Sequence, residues 1–222
     1  FLKKVFWSYP VLLFSCSPIY HGLSEKSFFN PSVQPNELGN EIGNWEDGSR
    51  INGENNEFEW WYFDAELEDG SVIVVYFYRV HLFFDRYFIG FNLSSPSGDN
   101  FFKLKYFDKT DVSFSKDSCN VIMSQNHIIG NIKNYSIRID PDDFDGIGFE
   151  IQLKSIVDPY RPQDGIIKTG NEYFAWLAAV PYGLINGELI LEDQKFPISG
   201  YGYHDHNWGN TPLQKVIIQD SI

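Results

Sequence analysis

The 222-residue chain is poor in sulfur: two cysteines, Cys16 and Cys119, and one methionine. Two cysteines so far apart build neither a disulfide framework nor a zinc cluster. Basic residues are also scarce, 17 Lys and Arg against 30 Asp and Glu, for a net charge of −13. A nucleic-acid binder needs a basic face to neutralise phosphates, and an anionic membrane surface selects for the same sign. The charge balance argues against both classes of partner. There is no Gly-rich phosphate loop, no Gly-Xaa-Ser-Xaa-Gly elbow and no tandem repeat. The phosphate-loop and α/β-hydrolase folds lose their support with them. Apolar runs stay well short of the roughly 20 residues that span a bilayer as a helix.

Aromatic residues are abundant, with 20 Phe, 13 Tyr and 6 Trp, 18% of the chain. Rings favour strands and cover large apolar areas. From Glu57 onward, short aromatic or β-branched runs alternate with turn signals: Glu57 to Leu67, Ser71 to Val80, Tyr87 to Leu93, Phe101 to Phe107, Val112 to Phe114, Asn120 to Met123, Ile128 to Ile132, Tyr135 to Ile139, Gly148 to Val157, Tyr173 to Val180, Glu188 to Leu191 and Phe196 to Tyr203. This spacing, without a 3.6-residue period, predicts an all-β antiparallel fold. A closed barrel is preferred to a sandwich because closure removes edge strands and leaves an interior able to hold one small ligand. Acidic pairs such as Glu46-Asp47 and Asp142-Asp143 read as solvated turns.

The first 23 residues set Lys3-Lys4 before an apolar run that ends at Cys16. This is the layout of an export signal, and Leu13-Phe14-Ser15-Cys16 resembles a bacterial lipoprotein processing site with Cys16 as the lipidated residue. An exported protein, lipid-anchored at the bacterial envelope, is the expected location. Residues 24–56 are polar and read as a tether or lead-in. Residues 57–213 form the predicted domain, and 214–222 are read as the start of a second one.

Two segments are not ordinary strand. In Phe58-Glu59-Trp60-Trp61-Tyr62-Phe63-Asp64, rings fall on both faces, so the strand is expected to be covered on both. In Ser199-Gly200-Tyr201-Gly202-Tyr203-His204-Asp205-His206-Asn207-Trp208-Gly209, an extended chain points Tyr203, Asp205 and Asn207 one way and His204, His206 and Trp208 the other. Acid, amide and imidazole beside rings make costly core material unless paired. One reading is a hydrogen-bonded network that locks the barrel; the other is a reactive site. His204 and His206 could offer two metal ligands, but a catalytic zinc wants three, and no metal or other cofactor is expected.

These two segments resemble the signature stretches of the carotenoid 1,2-hydratase (hydroxyneurosporene synthase) and AttH-like superfamily, whose architecture the fungal Diels–Alderases share. Trp176 to Gly183 resembles a further strand of that group. The resemblance covers about 57–213 and implies a lipocalin-like (calycin) barrel, the first of two, whose partner barrel would complete any shared site. It implies Asp205 as proton donor in an apolar lumen, with Tyr203 or Asn207 orienting it or a water. Trp60, Tyr62 and Trp176 would line the pocket with His204, His206 and Trp208. The ligand would be an apolar isoprenoid, polyene or lipid. The hydratases carry a histidine near the Trp176 strand, where this chain reads Tyr173-Phe174-Ala175-Trp176. Carriage of an apolar ligand, or a pericyclase that works by orienting its substrate, are the alternatives.

Overall fold

The computed structural model describes residues 41–54, 56–162 and 165–211. Cys16 and the export-signal segment, most of the predicted tether and the second-domain segment 214–222 lie outside the described residues.

Among the described residues twelve strands form one antiparallel sheet. The first four, β1 (Glu57–Leu67), β2 (Val72–His81), β3 (Asp85–Ser94) and β4 (Asn100–Phe107), make successive hairpins. Then come β5 (Val112–Phe114), β6 (Asn120–Met123), β7 (Asn126–Gly130), β8 (Asn134–Ile139) and β9 (Ile147–Ser155), a second meander. The last three are β10 (Ile166–Thr169) and the long strands β11 (Glu172–Leu191) and β12 (Gln194–Gly209). Hydrogen bonding runs β4-β3-β2-β1-β12-β11-β9-β8-β7-β6-β5, with β10 on β11. The long β11–β12 hairpin thus joins the two meanders.

The sheet curls into a nearly closed barrel. Rings from strands far apart in that order meet inside: Phe91 lies 5.6 Å from Phe149, Tyr87 5.7 Å from Phe114, and Trp61 5.7 Å from Phe114. Lys103 and Lys105 on end strand β4 reach Asp145 and Asp143, in the turn before β9, at 2.5 and 3.0 Å. The interior is filled by apolar side chains, among them Trp61, Phe63, Phe77, Phe91, Phe144 and Phe149, all fully buried. The expectation of a ligand in the lumen meets an interior occupied by these buried rings.

Three local features differ from the sequence reading. Strand β10 is too short to announce itself. The runs at Tyr173 and Glu188 are one strand, bent by register shifts between Leu177 and Gly183, where Pro181 lacks an N–H to give a ladder. The segment read as a polar lead-in enters the fold before β1: one 3-10 turn, Asn44–Asp47, packs against Trp61, Tyr135 and His204 of the interior. Glu46 and Asp47 are completely buried there, not solvated.

Candidate active site

The site is built on the pairing of β1 with β12. Trp60 lies opposite Asn207, Tyr62 opposite Asp205 and Asp64 opposite Tyr203; alternating with them, Glu59 faces Trp208, Trp61 faces His206 and Phe63 faces His204. Directly opposed residues share a face. Trp61 and Phe63 belong to the barrel core, so the second set points inward and the first outward.

On the outward face Asp205 is only 2% exposed. Its Oδ2 accepts hydrogen bonds from the Tyr203 hydroxyl at 2.7 Å and Trp176 Nε1 at 3.0 Å, and its Oδ1 from Asn207 Nδ2 at 2.7 Å. Burial pushes this carboxyl up to about 6, against the pull of those three donors and of His204. Beside it, Tyr62 donates to Asp64 Oδ2 at 2.7 Å. Burial raises the Asp64 carboxyl as well, with the Tyr62 bond opposing. Burial and the neighbouring Asp64 drive the Tyr62 hydroxyl far up, so it keeps the proton it donates to Asp64.

Rings carry this face outward from the carboxyls. Tyr203, Tyr62, Tyr76, Tyr78, Phe88 and Tyr106 form an unbroken series with centroids 4.7–5.9 Å apart, crossing from β12 to β4. Trp60 stacks with Phe58 and leans on Tyr78 at 5.5 Å. Tyr160 sets its ring edge-on to Trp176. Phe102, Leu104 and Tyr106 leave the far end of the band exposed. A contiguous aromatic surface of this kind can seat an apolar molecule or partner.

The inward face holds a different chemistry. His204 donates from Nδ1 to the Tyr62 carbonyl at 2.7 Å and from Nε2 to Asp47 Oδ2 at 3.1 Å. His206 likewise meets the Glu46 carbonyl and Glu59 Oε1, each at 3.1 Å. Both nitrogens of each ring face oxygen atoms. Burial on its own would lower His204, but the Asp47 charge and the bonds to Asp47 and Tyr62 leave it raised. Tyr135 adds a 2.5 Å bond to Asp47 Oδ2, Ser49 a 2.8 Å bond to Glu59, and Arg161 pairs with Glu46 at 2.7 Å. Every member is buried. Oδ, Sγ and ring-nitrogen atoms of Asp47, Cys119 and His204 fall within 4.8 Å of one another, a donor set of the kind a metal uses.

The structure therefore brings six of the expected residues together: Asp205, Tyr203, Asn207, Trp176, Tyr62 and Trp60. They gather on the outside of the barrel, which corrects the expectation of a carboxyl in the lumen. His204, His206 and Trp208, expected beside the ligand, instead face the packed interior; Trp61 and Trp208 sandwich His206 with centroids 4.6 Å away on each side. Sequence reasoning missed Asp64, although Tyr62-Phe63-Asp64 repeats the spacing of Tyr203-His204-Asp205. It also missed Asp47 and Glu59, whose partners lie more than 140 residues away.

Fold and site define an all-β, nearly closed antiparallel barrel protein that carries a buried carboxyl and a band of rings on its outer surface. No family model matches the chain. It is a distant relative of a protein of Chlorobaculum tepidum named hydroxyneurosporene dehydrogenase, at 23% identity over 204 residues, 72% of this chain and 51% of that protein. The fold is similar to that of an AttH protein of Nitrosomonas europaea (TM-score 0.59, 17% identity, 71% of this chain and 52% of that one). It is also similar to kievitone hydratase of Nectria haematococca (TM-score 0.51, 15% identity, 80% and 54%). The chain spans about half the length of these proteins.

Proposed function

We propose that this chain acts as a hydratase on an apolar isoprenoid or polyene, protonating an alkene from Asp205 without help from an organic cofactor. The carrying observation is the state of Asp205: buried, raised to about 6, and held by three side-chain donors in place. A buried carboxyl that holds its proton up to about pH 6 is a stronger candidate for the acid an unactivated alkene requires than an ordinary aspartate. Tyr203, Trp176 and Asn207 fix the direction of its oxygens. The cation formed at the more substituted carbon lies near ring faces, each of which stabilises positive charge by roughly 0.5–2 kcal/mol. The ring series from Tyr62 to Tyr106 supports an elongated apolar substrate lying along the outer surface of a lipocalin-like barrel.

Incubation of the full chain with neurosporene in heavy-oxygen water, followed by chromatography and mass spectrometry, tests the reading. The expected product is an alcohol that carries the label, and Asp205→Asn lowers its rate by about 100-fold or more. Recovery of unchanged neurosporene from the protein supports carriage instead. An isomer without added oxygen supports a cyclase that acts by folding its substrate. The expected export and lipid anchoring through Cys16 extend this proposal to an envelope location, tested by labelling with a radioactive fatty acid.

A further inference from the structure

Hydration adds both halves of a water molecule, so a donor alone leaves the reaction incomplete. The proton given to carbon and the proton lost by the attacking water need separate places. The outward face holds a second carboxyl arranged like the first. Tyr62 donates to Asp64 and Tyr203 donates to Asp205, both across two residues of one strand and both at 2.7 Å. Because β1 and β12 run antiparallel with Tyr62 opposite Asp205 and Asp64 opposite Tyr203, the two pairs are related by a local twofold axis. The tyrosine rings touch across it, 5.9 Å between centroids. The two carboxyls are diagonal neighbours on one face, which puts their residues about 7–8 Å apart, their Cβ atoms somewhat closer.

Their surroundings differ in the sense the chemistry needs. Asp205 has donors on both oxygens and is nearly sealed from solvent. Asp64 is half-buried, and among the described residues its Oδ1 has no hydrogen-bond partner. We propose that Asp64 is the catalytic base of the site, taking the proton of the attacking water through Oδ1 while Tyr62 steadies Oδ2. This rests on the hydratase reading.

The step balances. The alkene π pair takes the Asp205 proton and forms a C–H bond, leaving a carbocation and the Asp205 carboxylate. A water lone pair forms the C–O bond, and its O–H bond breaks toward the Asp64 carboxylate. The products are a tertiary alcohol, neutral Asp64 and ionised Asp205. Asp64 then releases its proton to solvent and Asp205 regains one.

The test compares wild type, Asp64→Asn, Asp64→Glu and Asp205→Asn on neurosporene in deuterated water, each first shown to be folded. Two rates are read: alcohol formation, and deuterium entry into recovered neurosporene, which reports protonation without capture. Asp64→Asn should slow alcohol formation by about 100-fold with KM little changed, remove one limb of the pH profile and leave deuterium entry in place. Asp64→Glu should restore part of the rate, and Asp205→Asn should abolish both signals. If Asp64→Asn forms alcohol at the wild-type rate with an unaltered profile, the base assignment is overturned and the hydratase reading stands. If wild type forms no alcohol, the hydratase reading itself falls and takes this role with it.

Discussion

Replacing Asp205 with Asn should make the protein more stable as pH rises, by an amount the site itself fixes. In the unfolded chain this carboxyl titrates near 3.8; in the folded protein it is held up at about 6. Below 3.8 both states carry the proton and the group is neutral in each. Between the two values the folded state keeps a proton that the unfolded state has lost, so each step up in pH favours unfolding. The gap of about two pH units corresponds to about 3 kcal/mol, complete once pH exceeds 6. Asn has the same shape and no charge to bury. Wild type and Asp205→Asn should therefore have similar slopes from every other group, and their difference isolates this one. Urea denaturation at intervals from about pH 4 to pH 7 reads it: the variant gains on wild type by about 3 kcal/mol across the range. A flat difference would show that Asp205 is solvated or fully compensated in the folded protein. The claim that it is a poised acid would then be lost.

Three further outcomes follow from the same geometry. Tyr203→Phe removes a donor that favours the ionised Asp205, so the inflection in that pH curve should move above about 6. Asp47→Asn leaves the His204 ring opposite a neutral amide in the buried interior; breaking such a pair costs about 3–5 kcal/mol, read as a lower denaturation midpoint at unchanged m. Gly200→Ala places a methyl 2.1 Å from the Glu66 carbonyl oxygen on β1, forcing the β1–β12 pairing apart at a cost of about 1–3 kcal/mol, visible as a lowered melting temperature.

The strands were legible because alternation and turn residues are local signals. Eleven of the strands contain a run read from the sequence, and the twelfth, Ile166–Thr169, has only four residues with no alternation to display. The membership of the outward site was legible for the same reason: Tyr203, Asp205 and Asn207 must share a face if the chain is extended. Which face turned inward was not. Both sides of β1 and β12 carry rings and polar groups, so neither looks like a core stripe. The answer comes from the Asp47 and Glu59 carboxylates and the Glu46 backbone carbonyl, which meet the ring nitrogens of His204 and His206 from the inside. Glu46-Asp47 sits among Asn, Gly and Ser and has every local mark of a solvated turn. Its burial depends on Arg161 and Tyr135, 115 and 88 residues away, and no window on the sequence spans that distance.

The Tyr203–Trp208 stretch of β12 writes two messages in alternate letters, one for each side of the wall. Odd positions speak to the outer aromatic band, even ones to the interior. A single residue inserted upstream of Tyr203 would exchange them, thrusting the imidazoles toward oil and the acid among carboxylates. The stretch can therefore drift letter by letter within each message, but it cannot gain or lose one, and a family built on it should tolerate varied chemistry far sooner than varied length.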